Sequence, residues 1–199
     1  MKIVAENLGK RFNREWVFRN FNYQFTAGKT YAITGPNGSG KSTLMQVLWG
    51  QMHPSTGFVN FEHPSPGELF QFVAIAAPYM ELIEEFTLEE MIRFHFKFKK
   101  CRIPLEAVAE RIGLKASGSK TISSFSSGMK QRAKLALAFY SDVALLFLDE
   151  PCTNLDKKSI QWYHDQLASV PSEASVFIAS NQEAEYPLSA TKIDILSYK

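Results

Sequence analysis

Residues 35–43 read Gly-Pro-Asn-Gly-Ser-Gly-Lys-Ser-Thr, a complete G-x-x-x-x-G-K-[ST] phosphate-binding loop. Its glycines allow a tight turn in which successive backbone N–H groups converge on a β-phosphate without side chains in the way. Lys41 supplies a point charge between the β- and γ-phosphates, and the Ser42 hydroxyl is placed to hold a magnesium ion. The motif predicts nucleoside triphosphate binding by nine residues: Gly35, Pro36, Asn37, Gly38, Ser39, Gly40, Lys41, Ser42 and Thr43.

The segments on either side of the loop have the structure that the motif requires. Thr30 to Thr34 is short, β-prone and largely apolar, which is typical of a strand. Leu44 to Trp49 continues as a helix with apolar residues at 44, 47 and 48, so the N-terminal dipole of this helix points at the bound anion. A strand, a loop and a helix in this order argue against the alternative interpretation, a glycine-rich turn that binds nothing.

The composition is that of an ordinary soluble globular protein. The chain has 199 residues, 45% of them hydrophobic and 21% charged, which suits one domain with a substantial core. A net charge of +2 without a dense basic stripe gives no reason to expect a nucleic-acid partner. The two cysteines, Cys101 and Cys152, have neither metal-type nor redox-type spacing, so a reduced cytosolic compartment is expected. Neither a membrane helix nor a signal peptide is recognisable.

A second motif follows a continuous apolar run. Residues 143–148 predict a parallel strand that is buried on both faces, and Asp149 and Glu150 come directly after it. Both carboxylates are therefore expected at the carboxyl edge of a sheet, where α/β proteins bind ligands. Asp149 is a candidate for positioning magnesium, and Glu150 is a candidate general base for an attacking water. The alternative is an acidic turn after a core strand.

Further elements follow from local patterns. Residues 2–34 alternate in a way that predicts strands joined by turns. Thr87-Leu-Glu-Glu90 is a capping box, and it predicts a helix that continues to Lys100. The remaining predictions are strands at 58–61, 70–76, 175–180 and 191–198, and helices at 104–112, 129–140 and 159–170.

Residues 125–132, Phe-Ser-Ser-Gly-Met-Lys-Gln-Arg, make the resemblance to a known family specific. Their position between the phosphate loop and the acidic strand resembles the ATP-binding-cassette (ABC) family, whose signature Leu-Ser-Gly-Gly-Gln is matched at 125–129. A hydroxyl (Ser126) and a bare backbone (Gly128) at a helix N-terminus can receive the γ-phosphate presented by a second subunit. By themselves, these residues also fit a serine-rich loop that caps a helix.

Three other segments resemble the same family. Thr153-Asn-Leu-Asp156 is similar to the family's D-loop, which crosses the dimer interface, and Pro54-Ser-Thr-Gly57 is similar to the turn after the phosphate-loop helix. Phe12 lies 29 residues before Lys41, where the family places an aromatic ring against adenine. Such stacking contributes about 1–3 kcal/mol. The alternative role of Phe12 is that of a core residue at a strand end.

The resemblance implies a P-loop α/β core with a mainly parallel sheet, an N-terminal antiparallel β layer and a small helical subdomain near 80–130, all within one ABC ATPase domain spanning 1–199. It implies a homodimer or heterodimer around two ATP–Mg²⁺. It also implies a separate membrane-spanning transporter subunit, which the chain binds peripherally at the cytoplasmic face of the membrane. The partner's groove is expected between the helical subdomain and the Q-loop region. Residues 94–100 are a candidate rim of this groove, or else a helix with a basic solvated face. A non-transport ABC ATPase is the alternative function; a nucleotide kinase does not account for residues 125–132.

Two positions depart from the family pattern. Pro78 stands where the Q-loop glutamine is expected, nine residues before Thr87, and proline has no side-chain donor or acceptor. Glu81 is a candidate substitute. Asn181 stands where the switch histidine is expected; its amide can bond a γ-phosphate or a water but cannot carry a proton. We therefore expect slow turnover with nearly normal ATP binding, and a hydrolysis-poor cassette stays open as an alternative.

Overall fold

The computed structural model describes residues 1–62 and 68–199, and these ranges contain eight strands and six α-helices. In chain order the elements are β1 (Ile3–Phe12), β2 (Glu15–Phe25), β3 (Thr30–Thr34), α1 (Lys41–Leu48), β4 (Thr56–Phe61), α2 (Leu69–Phe72), β5 (Val73–Ala76), α3 (Leu88–His95), α4 (Leu105–Arg111), α5 (Ser127–Phe139), β6 (Leu145–Asp149), α6 (Lys157–Ala168), β7 (Ser175–Ala179) and β8 (Thr191–Asp194). No helix within the described ranges is both long enough and apolar enough to cross a membrane.

The N-terminal strands form an antiparallel sheet in the order β2-β1-β4. Ile3 of β1 pairs with Phe25 of β2 on one side and with Phe61 of β4 on the other. Phe18, Phe21 and Phe25 are almost completely buried, so the inner face of β2 is aromatic. The predicted antiparallel layer is confirmed, and its apolar face packs on the rest of the chain because one face of such a sheet must leave water.

The second sheet is parallel, with the strand order β5-β6-β7-β3-β8. Every residue of β6 and β7 is buried, as expected for the central strands of a sheet that is covered on both faces. Since the strands are parallel, their carboxyl ends meet at one edge of the sheet. The predicted mainly parallel core is confirmed, and this edge carries the phosphate loop, the acidic pair and Asn181.

Three clusters of buried side chains hold the layers together. The first lies between the two sheets around α1, where the rings of Phe147 and Phe177 stack with centroids 4.5 Å apart. The second packs α5 and α6 against the other face of the parallel sheet. The third joins α3 and α4 to α5. Because α5 contributes to the second and third clusters, it connects the helical part of the chain to the sheet.

Three predicted elements were wrong in their bounds. Phe70, expected in a strand, lies in the helix α2, and the strand begins only at Val73. Phe70 is 55% exposed, so the apolar run there is not the buried strand that its pattern suggested. The helix from Thr87 keeps its capping box but ends at His95 rather than Lys100, because the next aromatic residues recur every second position instead of at helical spacing. The last strand ends at Asp194, whose carboxylate accepts from the N–H of Leu196 and starts a 3-10 turn.

Candidate nucleotide site

Three neighbouring strands of the parallel sheet deliver the candidate residues to the same edge. The phosphate loop follows β3, the pair Asp149 and Glu150 ends β6, and Asn181 follows β7. In the strand order β6-β7-β3 these ends are adjacent. Residues that are far apart in sequence thus converge because of the topology, at the edge where ligands bind in open α/β sheets.

The phosphate loop is held in shape by its glycines. Gly40 is the N-cap of α1 with a φ of +103°, and a Cβ at this position would lie 2.3 Å from Cγ1 of Val17. The loop therefore needs a residue without a side chain here. The first turn of α1 contains no acidic residue, so no side chain of the helix itself offsets the positive N-terminal end of its dipole. An anion is attracted to this position.

Lys41 is directed into the loop. Its side chain is buried, with 4% of the residue exposed, and its ammonium donates to the carbonyls of Gly35 and Pro36 at 3.0 Å each. These bonds fix the charge next to the backbone N–H groups of the loop. The arrangement concentrates positive charge where a phosphate group would lie.

Asp149 is buried with 2% of the residue exposed, and neither of its carboxylate oxygens has a partner at full hydrogen-bond geometry among the described residues, although the Ser42 hydroxyl lies close enough to act on its pKa. Burial raises the pKa of Asp149 from 3.8 to about 6, and the Glu150 charge adds to this, while the Ser42 hydroxyl and Lys41 lower it. A buried carboxylate beside a serine hydroxyl is an oxygen donor set that suits Mg²⁺, which takes few protein ligands alongside phosphate oxygens and water. The residues fit the predicted magnesium site.

Glu150 is held in an unusual backbone conformation. Its φ is +44°, in the left-handed region that residues other than glycine seldom adopt. The N–H of Glu150 donates to the carbonyl of Ala179 on β7 at 2.9 Å. The side chain is partly exposed, as a group that activates water must be.

Asn181 contacts the phosphate loop directly. Its Nδ2 donates to Oδ1 of Asn37 at 3.0 Å, although the two residues are 144 positions apart. Both side chains are exposed. The residue at the switch position is therefore located beside the loop, within reach of a ligand bound there.

The Q-loop position has a different structure. Pro78 is exposed and lies in a turn closed by the N–H of Met80, which donates to the carbonyl of Ala77 at 3.1 Å. The next residue, Tyr79, faces the site. Burial raises the pKa of its phenol above the ordinary value of 10.0, and the Asp149 charge adds to this, whereas the nearby Gln46 side chain opposes it. Glu81, the suggested substitute, is exposed.

The candidate signature begins α5. Ser126 is its N-cap, and the Ser126 hydroxyl accepts from the N–H of Met129 at 3.3 Å. Gly128 packs so closely on the segment after Glu150 that a Cβ would lie 2.8 Å from the carbonyl oxygen of Asn154. Within the chain, Gly128 therefore lies beside that segment, and Ser126 caps the same helix.

Phe12 is half exposed at the end of β1. Its ring lies 5.3 Å from the Nζ of Lys10. The alternative interpretation, a core residue at a strand end, was wrong. The exposed ring is free to stack on a planar ligand.

Two residues near the acidic pair were missed in the sequence. Tyr79 lies beside Asp149 through the turn after β5, and Glu185 lies beside both acids in a 3-10 turn after β7. Glu185 is 2% exposed with both carboxylate oxygens unpaired among the described residues, and burial raises its pKa. A lone tyrosine and a lone glutamate in loop segments carry no pattern that could have identified them.

An apolar groove of about 840 Å³ opens between α1, β4, α2 and the end of α3. Phe58, Phe70 and Met80 line it and are partly exposed. His95 and Lys99 also line it, which favours the rim interpretation of residues 94–100 over a solvated basic face. Burial and the Lys99 charge lower the pKa of His95 to about 4, so its ring is neutral at pH 7.

Comparisons with known proteins agree with this geometry. The family model described as ABC transporter matches residues 18–153. The energy-coupling factor transporter ATP-binding protein EcfA1 of Thermotoga maritima is 30% identical over 196 residues, covering 94% of this chain and 74% of that protein. The uncharacterized ABC transporter ATP-binding protein YybJ of Bacillus subtilis is 29% identical over 189 residues, covering 92% and 86%.

A solved structure shows the same fold. It is a putative ABC transporter ATP-binding protein from Pyrococcus furiosus, with a TM-score of 0.83 at 15% identity over 100% of this chain and 99% of the other. The family model spans more than half of the chain, and EcfA1 matches nearly all of it at 30% identity. The chain therefore belongs to the ABC transporter family of ATP-binding proteins.

Proposed function

We propose that the chain is the ATP-hydrolysing subunit of a membrane transporter. The observation that carries this proposal is the convergence of Lys41, Asp149, Glu150 and Asn181 at one sheet edge, next to the N-terminus of α1. Phosphoryl transfer to water uses groups of these kinds. Lys41 is a buried cation, Asp149 is a carboxylate that is unpaired among the described residues, and Glu150 is a partly exposed carboxylate. Because the chain belongs to the ABC transporter family of ATP-binding proteins, we assign ATP hydrolysis as the reaction of this arrangement.

Each group has a role in ATP hydrolysis. The loop from Gly35 to Thr43 binds the phosphates through backbone N–H groups and Lys41, and Phe12 stacks on adenine. Ser42 and Asp149 hold Mg²⁺, which supplies neutralisation of charge on the phosphate oxygens when bound. Glu150 accepts a proton from the attacking water, and Asn181 orients that water or the γ-phosphate through its amide.

Two such chains, or one chain and a related one, are proposed to enclose two ATP molecules. Ser126 is exposed at the N-terminus of α5, a helix of 13 residues without an acidic residue in its first turn. This end of the helix can bind the γ-phosphate of an ATP that the other subunit holds. ATP then joins the subunits, and hydrolysis releases them. We propose one ABC ATPase domain over 1–199, with a helical subdomain at about 80–130.

The groove is the proposed docking surface for a separate membrane-spanning subunit, at the cytoplasmic face of the membrane. Its lining is mostly apolar, and it contains exposed aromatic rings that a monomeric surface seldom keeps without a partner. Phe70→Glu should therefore shift the chain from the membrane fraction to the soluble fraction of its own cell. Leu188→Glu is the matched control, since Leu188 is fully exposed outside the groove. Equal release by both variants would contradict this docking surface.

Magnesium-dependent ATP hydrolysis by the purified chain tests the reaction. Lys41→Met should weaken ATP binding by about 10- to 100-fold, since a hydrogen bond to a charged group contributes about 1.5–3 kcal/mol. Lys29→Met is the control at an exposed lysine. Equal ATP affinity in the two variants would contradict the assignment of the loop.

Pro78 and Asn181 favour a second candidate, a cassette that binds ATP but hydrolyses it poorly. Neither residue offers the side chain that the family pattern has at its position. Tight ATP binding with negligible turnover by the purified chain would support this candidate. In that case a sibling subunit would supply the competent site.

A further inference from the structure

The segment that carries Glu150 is strained. Residues 150–155, here named the Glu150 turn, contain two non-glycine residues with left-handed backbone: Glu150 with a φ of +44° and Asn154 with a φ of +63°. Such conformations persist only where the surrounding structure holds them. The contacts that hold this turn therefore control where the Glu150 carboxylate points.

α5 supplies two of these contacts. The side chain of Gln131 is buried, with 5% of the residue exposed, and its Nε2 donates to the buried carbonyl of Pro151 at 2.9 Å. One helical turn earlier, the backbone of Gly128 packs against the carbonyl oxygen of Asn154. The helix thus contacts the Glu150 turn at the residue directly after Glu150 and again at Asn154.

The opposite side of the turn is anchored to the sheet. The N–H of Glu150 donates to the carbonyl of Ala179, and the N–H of Thr153 donates to the carbonyl of Glu150 at 3.2 Å. A displacement of α5 relative to β7 consequently acts on the turn between them. Ser126 caps the same helix, so the first turn of α5 and its contact with Pro151 move together.

We propose that Gln131 is a positioning residue that transmits phosphate binding at Ser126 and Gly128 to Glu150 of the same subunit. The inference rests on the proposed function, because the phosphate belongs to an ATP held by the second subunit. Binding there fixes the first turn of α5, and Gln131 then fixes Pro151 and the direction of Glu150. Each subunit's general base is thereby oriented by its partner's ATP, so the two sites hydrolyse ATP cooperatively.

Gln131→Met tests this inference, since it keeps the length of the side chain and removes the donor. We expect ATP affinity to stay within about twofold, kcat to fall by about tenfold or more, and the Hill coefficient for ATP hydrolysis to fall to about 1. The matched control is Gln161→Met on α6, which removes an exposed hydrogen bond to Asp165. A merely structural role would lower the unfolding midpoint of the variant and leave kcat per folded subunit and the Hill coefficient unchanged.

Gln131→Asn covers the case in which Gln131→Met does not fold. It keeps a buried amide but shortens the reach to Pro151, and we expect the same loss of kcat and cooperativity. Wild-type values of both parameters in either folded variant would overturn the inference while leaving the proposed function intact. Absence of hydrolysis and of ATP-dependent dimerisation in the wild-type chain would instead overturn the proposed function, and the inference with it.

Discussion

The phosphate loop after β3 and the turns after β5 and β7 lie at the same edge of the parallel sheet, but they position their chemistry in different ways. The loop acts mainly through its backbone, because glycine geometry and the N-terminus of α1 present N–H groups to a phosphate. The turns act through single side chains, and in this chain those are Pro78 beside Tyr79, and Asn181. In the proposed mechanism, binding is therefore specified by a continuous stretch, whereas control of hydrolysis is spread over separate positions.

The phosphate loop and the acidic residues also differ in how their contacts affect the stability of the fold. The loop and α1 fit closely around Gly40, and Lys41 is satisfied by two carbonyls. On the side of the acids, Asp149 and Glu185 are buried without hydrogen-bond partners among the described residues, and Glu150 has strained backbone. Unpaired buried carboxylates cost stability. The unpaired carboxylates and the strained backbone are thus concentrated on the side of the acids, although the buried Ser39 hydroxyl of the loop also has no partner among the described residues.

The largest expected effect concerns the backbone of the loop. Gly40→Ala should lower the free energy of unfolding by about 2–5 kcal/mol, because left-handed strain of about 1–2 kcal/mol adds to overpacking of about 1–3 kcal/mol against Val17. Gly38→Ala is the matched control, since Gly38 has a φ of +74° but no atom within 4 Å of an added Cβ. It should cost only about 1–2 kcal/mol. Urea unfolding measures both, and equal losses would contradict the role of Val17.

Asp149→Asn is expected to stabilise the chain in the absence of Mg²⁺ and ATP. At pH 7 the native state holds an ionised buried carboxylate whose pKa is raised from 3.8 to about 6, which costs up to about 3 kcal/mol. Between about pH 4 and pH 6 the folded chain binds the extra proton, so this cost grows as pH rises and is constant above pH 6. The increase in the free energy of unfolding of Asp149→Asn over the wild type should therefore be largest at pH 7.5 and vanish near pH 4.

Urea unfolding in a chelator at several pH values tests this prediction. Asp165→Asn on α6 removes an exposed carboxylate and should change stability little at any pH. The Asp149→Asn variant should also lose magnesium-dependent turnover, a trade of activity for stability. A variant that is less stable than the wild type at pH 7.5 would contradict the buried, unpaired state of Asp149.

The smallest expected effect is at the switch position. Asn181→Ala should lower kcat by about 3- to 10-fold with ATP affinity within twofold, because it removes one amide hydrogen bond of about 0.5–1.5 kcal/mol near the γ-phosphate. Asn181→His should raise kcat, since an imidazole can also carry a proton. Gln182→Ala is the control at the next exposed residue. A rate unaffected by Asn181→Ala would exclude Asn181 from the mechanism.

Much of the binding half could be predicted from the sequence because its signals are local. The glycine spacing, the strand before it and the helix after it all lie between residues 30 and 48. The apolar runs of β6 and β7 and the capping box at Thr87 were equally local, and the structure confirms them. Predicted bounds were wrong at Phe70 and after His95. Phe70 is exposed rather than part of a buried strand, and the helix from Thr87 ends at His95, whose ring is hydrogen-bonded to the Ser141 hydroxyl.

The rest of the site could not be predicted because it depends on tertiary proximity. The hydrogen bond between Asn37 and Asn181 joins residues from opposite ends of the chain. Glu185 and Tyr79 approach the acidic pair only because β5, β6 and β7 are neighbours in the sheet. No periodicity or spacing encodes such contacts, and the strand order that creates them is itself a property of the whole fold.

The central claim is that Glu150 is the general base of a site completed by a second subunit. Magnesium-dependent hydrolysis and ATP-dependent dimerisation, measured on the wild-type chain and on Glu150→Gln, test it most directly. We predict that the variant loses turnover, keeps ATP binding and gains a dimer that persists in ATP, because the ATP at the interface is no longer hydrolysed. Turnover retained in Glu150→Gln, or a variant that stays monomeric with ATP bound, would contradict the account.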